Sequence, residues 1–186
     1  TTLFRSTIED SEQDLIISTT RPELLGSCVG ITAHPDDERY KHLFNKKAIS
    51  PIFFAPVPIF PSKLVDMEKG TGILMVCTFG DQTDVIWWRE NSLPLRQLFG
   101  SNGRVLNINY ENQESSSNWI SINPDKANKN ISKLYEKSLK QSKDIIIEML
   151  RDSDNSLNNK EPLVSEPKII SHPVRYYEKG DSPIEY

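Results

Sequence analysis

Gly70-Thr71-Gly72-Ile73-Leu74-Met75-Val76-Cys77-Thr78-Phe79-Gly80-Asp81-Gln82-Thr83-Asp84 is the stretch from which the chain is best read. It spells turn, strand, turn and helix start. Gly70 and Gly72 permit backbone conformations closed to other residues, and Ile73 to Cys77 is an apolar run of the right length for a buried strand. Phe79-Gly80 breaks that run. Asp81 is a strong N-cap candidate, and Asp84 falls three residues later, in the first turn of a helix through Val85, Ile86, Trp87 and Trp88. Two carboxylates therefore meet at one strand-to-helix junction. The partial positive charge of a helix N-terminus favours their ionised forms, so the expectation is a pair of anions suited to an ammonium or a hydroxyl. Read for structure alone, the same residues are an ordinary cap after a core strand.

Working outward, 186 residues with 37% hydrophobic side chains make one domain with a core of its own. Twenty-two basic against 26 acidic residues give a formal charge of -4. That balance argues against coating long stretches of nucleic acid and leaves room for a partner that offers only one end. Cys28 and Cys77 match no metal-ligand spacing, and His34, His42 and His172 cluster with neither, so neither metal nor cofactor is expected. No apolar run is long enough to cross a bilayer and no secretory leader is visible; the expected compartment is the cytoplasm, with both thiols free. The chain opens at Thr1 and stops at Tyr186 inside a patterned segment, as a piece of something longer would.

Leu3 to Ile8 and Leu15 to Ser18 flank a polar turn as a β-hairpin does. Thr20, Pro22 and Glu23 predict a capped helix start, with Gly26 ending it. Cys28 to Ala33 reads as a strand and Asp36 to Leu43 as a charged helical segment, followed by a small basic cluster at Lys41, His42, Lys46 and Lys47. Prolines alternating with apolar residues from Pro51 to Pro61 suit bent strands, and bent strands suggest a barrel. Leu95 to Phe99 is a further candidate strand. Residues 107 to 130 are rich in Ser and Asn, the composition of a mobile surface segment, and Ile131 to Leu150 carries apolar residues at helical spacing with lysines on the far side. Ile169 to Tyr177 reads as a final strand pair before a Gly180-Asp181 turn. The fold class is mixed α/β with a β-barrel-like core and peripheral helices, its ends close together as an inserted domain requires.

Thr19-Thr20-Arg21-Pro22-Glu23-Leu24-Leu25, then His34-Pro35-Asp36-Asp37-Glu38-Arg39-Tyr40, Gly70-Thr71-Gly72 and Asp81 to Asp84, in that order and spacing, resemble the editing (CP1) domain inserted in class I aminoacyl-tRNA synthetases. The similarity is strong over the first half and returns from His172 to Tyr186. The wording from Met75 to Trp88 is most similar to the valyl branch in its archaeal-like form. Both signature motifs of the class I synthetic site are absent, so the resemblance implies a piece that does not make aminoacyl-tRNA.

What it does imply is proofreading by ester hydrolysis, with threonine cleared from valine tRNA. A synthetic pocket shaped for valine cannot exclude threonine by size, a limitation for which valyl-tRNA synthetase is the standard instance, so a second pocket must reward the hydroxyl. By resemblance Asp84 falls where the family holds the substrate α-ammonium, and Asp81 is the candidate acceptor for the threonine hydroxyl. Thr19, Thr20 and Arg21 would orient the ester and the terminal adenosine. Cys77, Thr78 and Phe79 complete the substrate-binding set, with Asp84, Asp81 and Thr20 the catalytic candidates. Leu24, Met75, Cys77 and Gly80 depart from the common bacterial pattern, which has polar residues there. No side chain is an obvious general base, which leaves a positioned water; Cys77 as nucleophile is the sharper alternative. The implied partners are the tRNA 3' acceptor end carrying a misacylated amino acid and the remainder of the parent synthetase, with no membrane. Two other functions stay open: an isoleucyl-type editor that clears valine, and an acceptor-end binding module inactive without its parent enzyme.

Overall fold

The computed structural model describes residues 1–168, and in it the opening hairpin forms as its sequence requires. Strand β1 (Thr2–Ile8) pairs antiparallel with β2 (Asp14–Thr19), in a register running from Thr2 opposite Thr19 to Thr7 opposite Asp14. The remaining strands are β3 (Cys28–Ala33), β4 (Lys47–Ile49), β5 (Pro56–Pro61), β6 (Ile73–Cys77) and β7 (Leu163–Ser165). They join one sheet in the order β2-β1-β4-β5-β3-β6, with β7 added beside β1. Only β3 and β5 run parallel among these pairs. Strands β2 and β6, at opposite ends of that order, touch one another, so the sheet curls almost closed. The barrel-like core is therefore present.

Proline sets the bend. The first half of β5, Pro56 to Pro58, pairs with β4, and the second half, Ile59 to Pro61, pairs with β3. A strand with prolines at 56, 58 and 61 lacks three ladder donors, and changing partners midway lets it turn a corner of the barrel. Inside pack Phe4, Ile17, Ile31, Ile59 and Ile73, all buried. Among the described residues three α-helices lie outside the sheet: α1 (Gln82–Glu90), α2 (Pro124–Ser132) and α3 (Leu139–Leu150). Helix α3 caps the core with Ile146, Met149 and Leu150. The Lys168 N–H donates to the Thr1 carbonyl at 2.9 Å, so the two ends of the described chain meet.

Several expectations need correction. The helix foreseen at Thr20 is a 3-10 turn, Pro22–Ser27, with Arg21 at its cap position and no side-chain cap. Glu23 turns to Arg21 instead of closing a capping box, and β3 begins directly at Cys28, which leaves too few residues for an α-helix of two full turns. Asp36 to Leu43 is not helical apart from the 3-10 turn Lys41–Leu43. There the Asp37 carboxylate accepts the Arg39 backbone N–H at 3.1 Å, a local bond that competes with helix formation. Leu95 to Phe99 is not a strand; buried Arg96 uses this segment to donate to the Cys28 and Asn118 carbonyls at 2.7 and 2.6 Å.

Residues 107 to 130 differ most from their composition. Tyr110 is 1% exposed, lies stacked 5.5 Å from Phe53 and donates its hydroxyl to the Gly26 carbonyl at 3.0 Å. Asn130 is buried, and its amide donates to the Ile52 carbonyl and to Asn155. A few large or well-bonded anchors thus bind a polar segment to the core. The single helix expected over 131 to 151 is instead α2 and α3, separated at Glu136, whose φ of 62° stops the helical path. Ser138 and Gln141 then form a capping box that restarts it. The strand pair Ile169 to Tyr177 and the turn at Gly180-Asp181 lie outside the described residues.

Candidate functional site

Strand β6 ends at Cys77, and the chain turns through Phe79 at φ 57° before α1 begins. Asp81 is the N-cap: its carboxylate accepts the Asp84 N–H at 2.9 Å, and Asp84 accepts the Asp81 N–H at 3.2 Å. The second oxygen of Asp84 accepts the Cys77 N–H, also at 3.2 Å. One carboxylate therefore ties the end of the strand to the start of the helix. Asp84 is 8% exposed, whereas Asp81 is open to solvent.

Electrostatics here departs from expectation. Burial, and after it the charge of Asp81, push the Asp84 carboxyl up to about 7, against the two backbone N–H donors and the Arg21 charge that pull it down. Desolvation outweighs the helix N-terminus, so Asp84 is not a settled anion but a group that titrates near neutral pH.

Gly80 makes the arrangement fit. A Cβ on Gly80 would stand 2.3 Å from Asp84 Oδ2 and 3.3 Å from a Leu24 methyl. The carboxylate thus rests where any other residue would put a carbon. Gly80→Ala is expected to push Asp84 off the Asp81 N–H and to cost about 1–3 kcal/mol, read as a lower midpoint in urea unfolding. An unchanged midpoint would mean that the carboxylate has another seat.

Arg21 is brought to the same junction, its guanidinium donating to the Gly80 carbonyl at 3.1 Å and pairing with Glu23 at 3.2 Å. The Thr19 hydroxyl accepts the Arg21 N–H at 3.0 Å, which fixes the turn leading to it. Thr20 is exposed, and its carbonyl accepts from Lys143 of α3 at 3.2 Å. Phe79 is partly buried, edge-on to Trp88 with ring centres 5.6 Å apart.

Thr78 is not brought to the pair: its hydroxyl accepts the Arg96 N–H at 3.0 Å and faces the Pro94 carbonyl. Cys77 contributes its backbone N–H, while its thiol is 2% exposed and turned to the Leu24 carbonyl. Burial pushes that thiol well above its ordinary range, which removes it as a nucleophile. Glu23 was read only as a cap, yet it is 7% exposed with Oε2 unpartnered among the described residues. Its place two residues after Arg21, in the otherwise apolar run from Pro22 to Gly26, was the available signal. Two surface concavities, of about 360 and 420 Å³, are lined by neither aspartate.

Comparison with known proteins adds the context. Over 176 residues, 95% of this chain, the sequence is 44% identical to the valine–tRNA ligase of Thermobifida fusca. This chain is similar to part of a valine–tRNA ligase. The valine–tRNA ligases of Leifsonia xyli and Tropheryma whipplei match at 42% and 38% identity over 92% and 98% of the chain. In each case the chain spans under a fifth of the ligase, 18%, 18% and 19%. Similarity to the ligases therefore continues through the middle of the chain, between the motifs that first suggested it. No family model matches. Among solved structures, the LeuRS-tRNA-LeuAMS ternary complex of Agrobacterium radiobacter K84 aligns with a TM-score of 0.46 at 19% identity, over 53% of this chain and 16% of that one. The GlLeuRS-CP1 crystal structure aligns with a TM-score of 0.36 at 15% identity, over 41% of this chain and 44% of that one.

Proposed function

We propose that the chain is the editing domain of a valine–tRNA ligase and hydrolyses the ester that joins threonine to the 3' end of valine tRNA. The observation that carries this reading is the Asp81–Asp84 pair, locked at the β6–α1 junction beside Arg21, in a chain similar over nearly its whole length to valine–tRNA ligases.

Each Asp84 oxygen accepts one backbone N–H and keeps a further lone pair. The α-ammonium of the aminoacyl group takes that position. Its positive charge lowers the Asp84 carboxyl from about 7, so binding and ionisation reinforce each other. Asp81, exposed one turn away, accepts the threonine hydroxyl; valine would leave a methyl against that carboxylate with nothing in return. Arg21 orients the terminal nucleotide, and Thr19 holds the turn that carries it. An ester positioned this way needs only an aligned water, whose oxygen bonds to the carbonyl carbon as the bond to the ribose 3'-oxygen breaks. That 3'-oxygen leaves as a hydroxyl with a proton relayed from the water through the neighbouring free ribose hydroxyl, while the released carboxylic acid gives its proton to solvent.

The partners under this reading are the acceptor end of tRNA and the rest of the ligase. One observation favours the alternative of clearing valine: Leu24 lies against Gly80 and offers an apolar wall beside Asp84. The deciding experiment offers the chain threonyl- and valyl-esters of valine tRNA in parallel. Faster release of threonine is expected; preferential release of valine would overturn the specificity, and release of neither would reduce the chain to a binding module.

A further inference from the structure

Five lysines, Lys129, Lys133, Lys137, Lys140 and Lys143, stand within fifteen residues that contain a single acid, Glu136. That run carries +4 while the whole chain carries -4, leaving -8 for everything else. So sharp an asymmetry on an acidic protein marks a place for a polyanion. The first four lysines are exposed, along the end of α2, the α2–α3 corner and the start of α3. Tyr135 projects among them, 48% exposed, although the apolar side chains just before it in sequence, Ile131 and Leu134, are buried. An exposed aromatic ring interleaved with lysines suits a base or ribose stacked beside its phosphates. The fifth lysine links this surface to the site: Lys143 Nζ donates to the Thr20 carbonyl, next to Arg21, whose guanidinium holds Gly80 beside Asp84.

We propose that the α2–α3 corner is an RNA-backbone track, along which the acceptor strand runs, phosphates on Lys133, Lys137 and Lys140 and a nucleotide against Tyr135, to deliver its 3' end past Lys143 to the Asp81–Asp84 pair. This rests on the editing reading for the identity of the RNA. The track explains how an acidic chain holds one end of a nucleic acid without coating the rest. It also gives work to lysines that packing does not require.

The test compares the wild-type chain with Lys133→Ala/Lys137→Ala/Lys140→Ala and with Tyr135→Ala. For threonyl-tRNA, the triple variant is expected to raise KM about tenfold or more with kcat unchanged, and to flatten the log KM against log salt slope by about 3, roughly one per lost phosphate contact. Tyr135→Ala is expected to raise KM without altering the salt slope. Hydrolysis of a small substrate, 3'-threonyl-adenosine, should be untouched in both. Unchanged KM and salt slope in the triple variant would overturn the track, as would equal loss on the small ester. If wild type hydrolyses neither substrate, the editing reading fails by itself. Filter binding of uncharged tRNA then decides the track: weaker, less salt-dependent binding by the triple variant supports it, and equal binding overturns it.

Discussion

Asp84→Ala lowers kcat/KM for threonyl-tRNA by roughly 10²–10³, the range expected when one partner of a buried ion pair is removed. The carboxylate at stake is 8% exposed, and Asp81, on the solvent side of the α1 start, is itself tied to the Asp84 N–H. The wild type should show an acid limb: below about pH 7 Asp84 is protonated in the free chain, and kcat/KM falls about tenfold per pH unit. The variant's residual rate should lack that limb. Wild-type turnover in Asp84→Ala would remove the residue from the mechanism.

Stability provides a second readout with a definite sign. The Asp84 carboxyl is raised in the fold, from 3.8 to about 7, so its contribution is present below pH 3.8 and is lost as pH rises through 7. Removing the side chain also leaves the Cys77 and Asp81 N–H groups without their acceptor, a cost of about 1–3 kcal/mol each where water cannot reach. Below pH 3.8 only that cost is felt and the variant melts furthest below wild type; from there to pH 7 the gap narrows. Above pH 8 the relief of a buried charge offsets it and the two melting curves converge. A gap that widened with pH would contradict the raised carboxyl.

The other large effect is on folding. Tyr110→Ala is expected to cost about 3–5 kcal/mol, because it empties a fully buried ring position between Phe53 and Trp119. Tyr110→Phe keeps the ring and loses only the bond to the Gly26 carbonyl, for about 1–2 kcal/mol. Urea unfolding of both variants checks the pair. Wild-type midpoints in both would show that residues 107 to 130 add nothing to the core.

Elements specified by neighbours in sequence were legible before any coordinates. The β1–β2 hairpin, the strand from Cys28 to Ala33, the strand from Ile73 to Cys77 and the Asp81 cap all depend on alternation, glycine or a three-residue spacing. What failed depended on distant partners. Composition could not show that Tyr110 would find Phe53, or that Arg96 would turn an apolar run into a buried polar anchor. Helical spacing runs unbroken through Ile131 and Leu134 and hides the left-handed Glu136 that splits it. Within the site, residue types placed two carboxyls together but could not say that burial would beat the helix terminus at Asp84. The role of Gly80 was equally hidden, since a missing Cβ acquires meaning only when a neighbour occupies its space.

Cys28 and Cys77 face each other across the β3–β6 ladder, both thiols sealed inside and that of Cys28 pushed up to about 11. Alkylating reagents therefore meet neither sulfur until those two strands part. The rate at which a maleimide labels the native chain becomes a clock for local breathing at the seam where Asp84 is anchored, and a ligand that grips the aspartate should slow it.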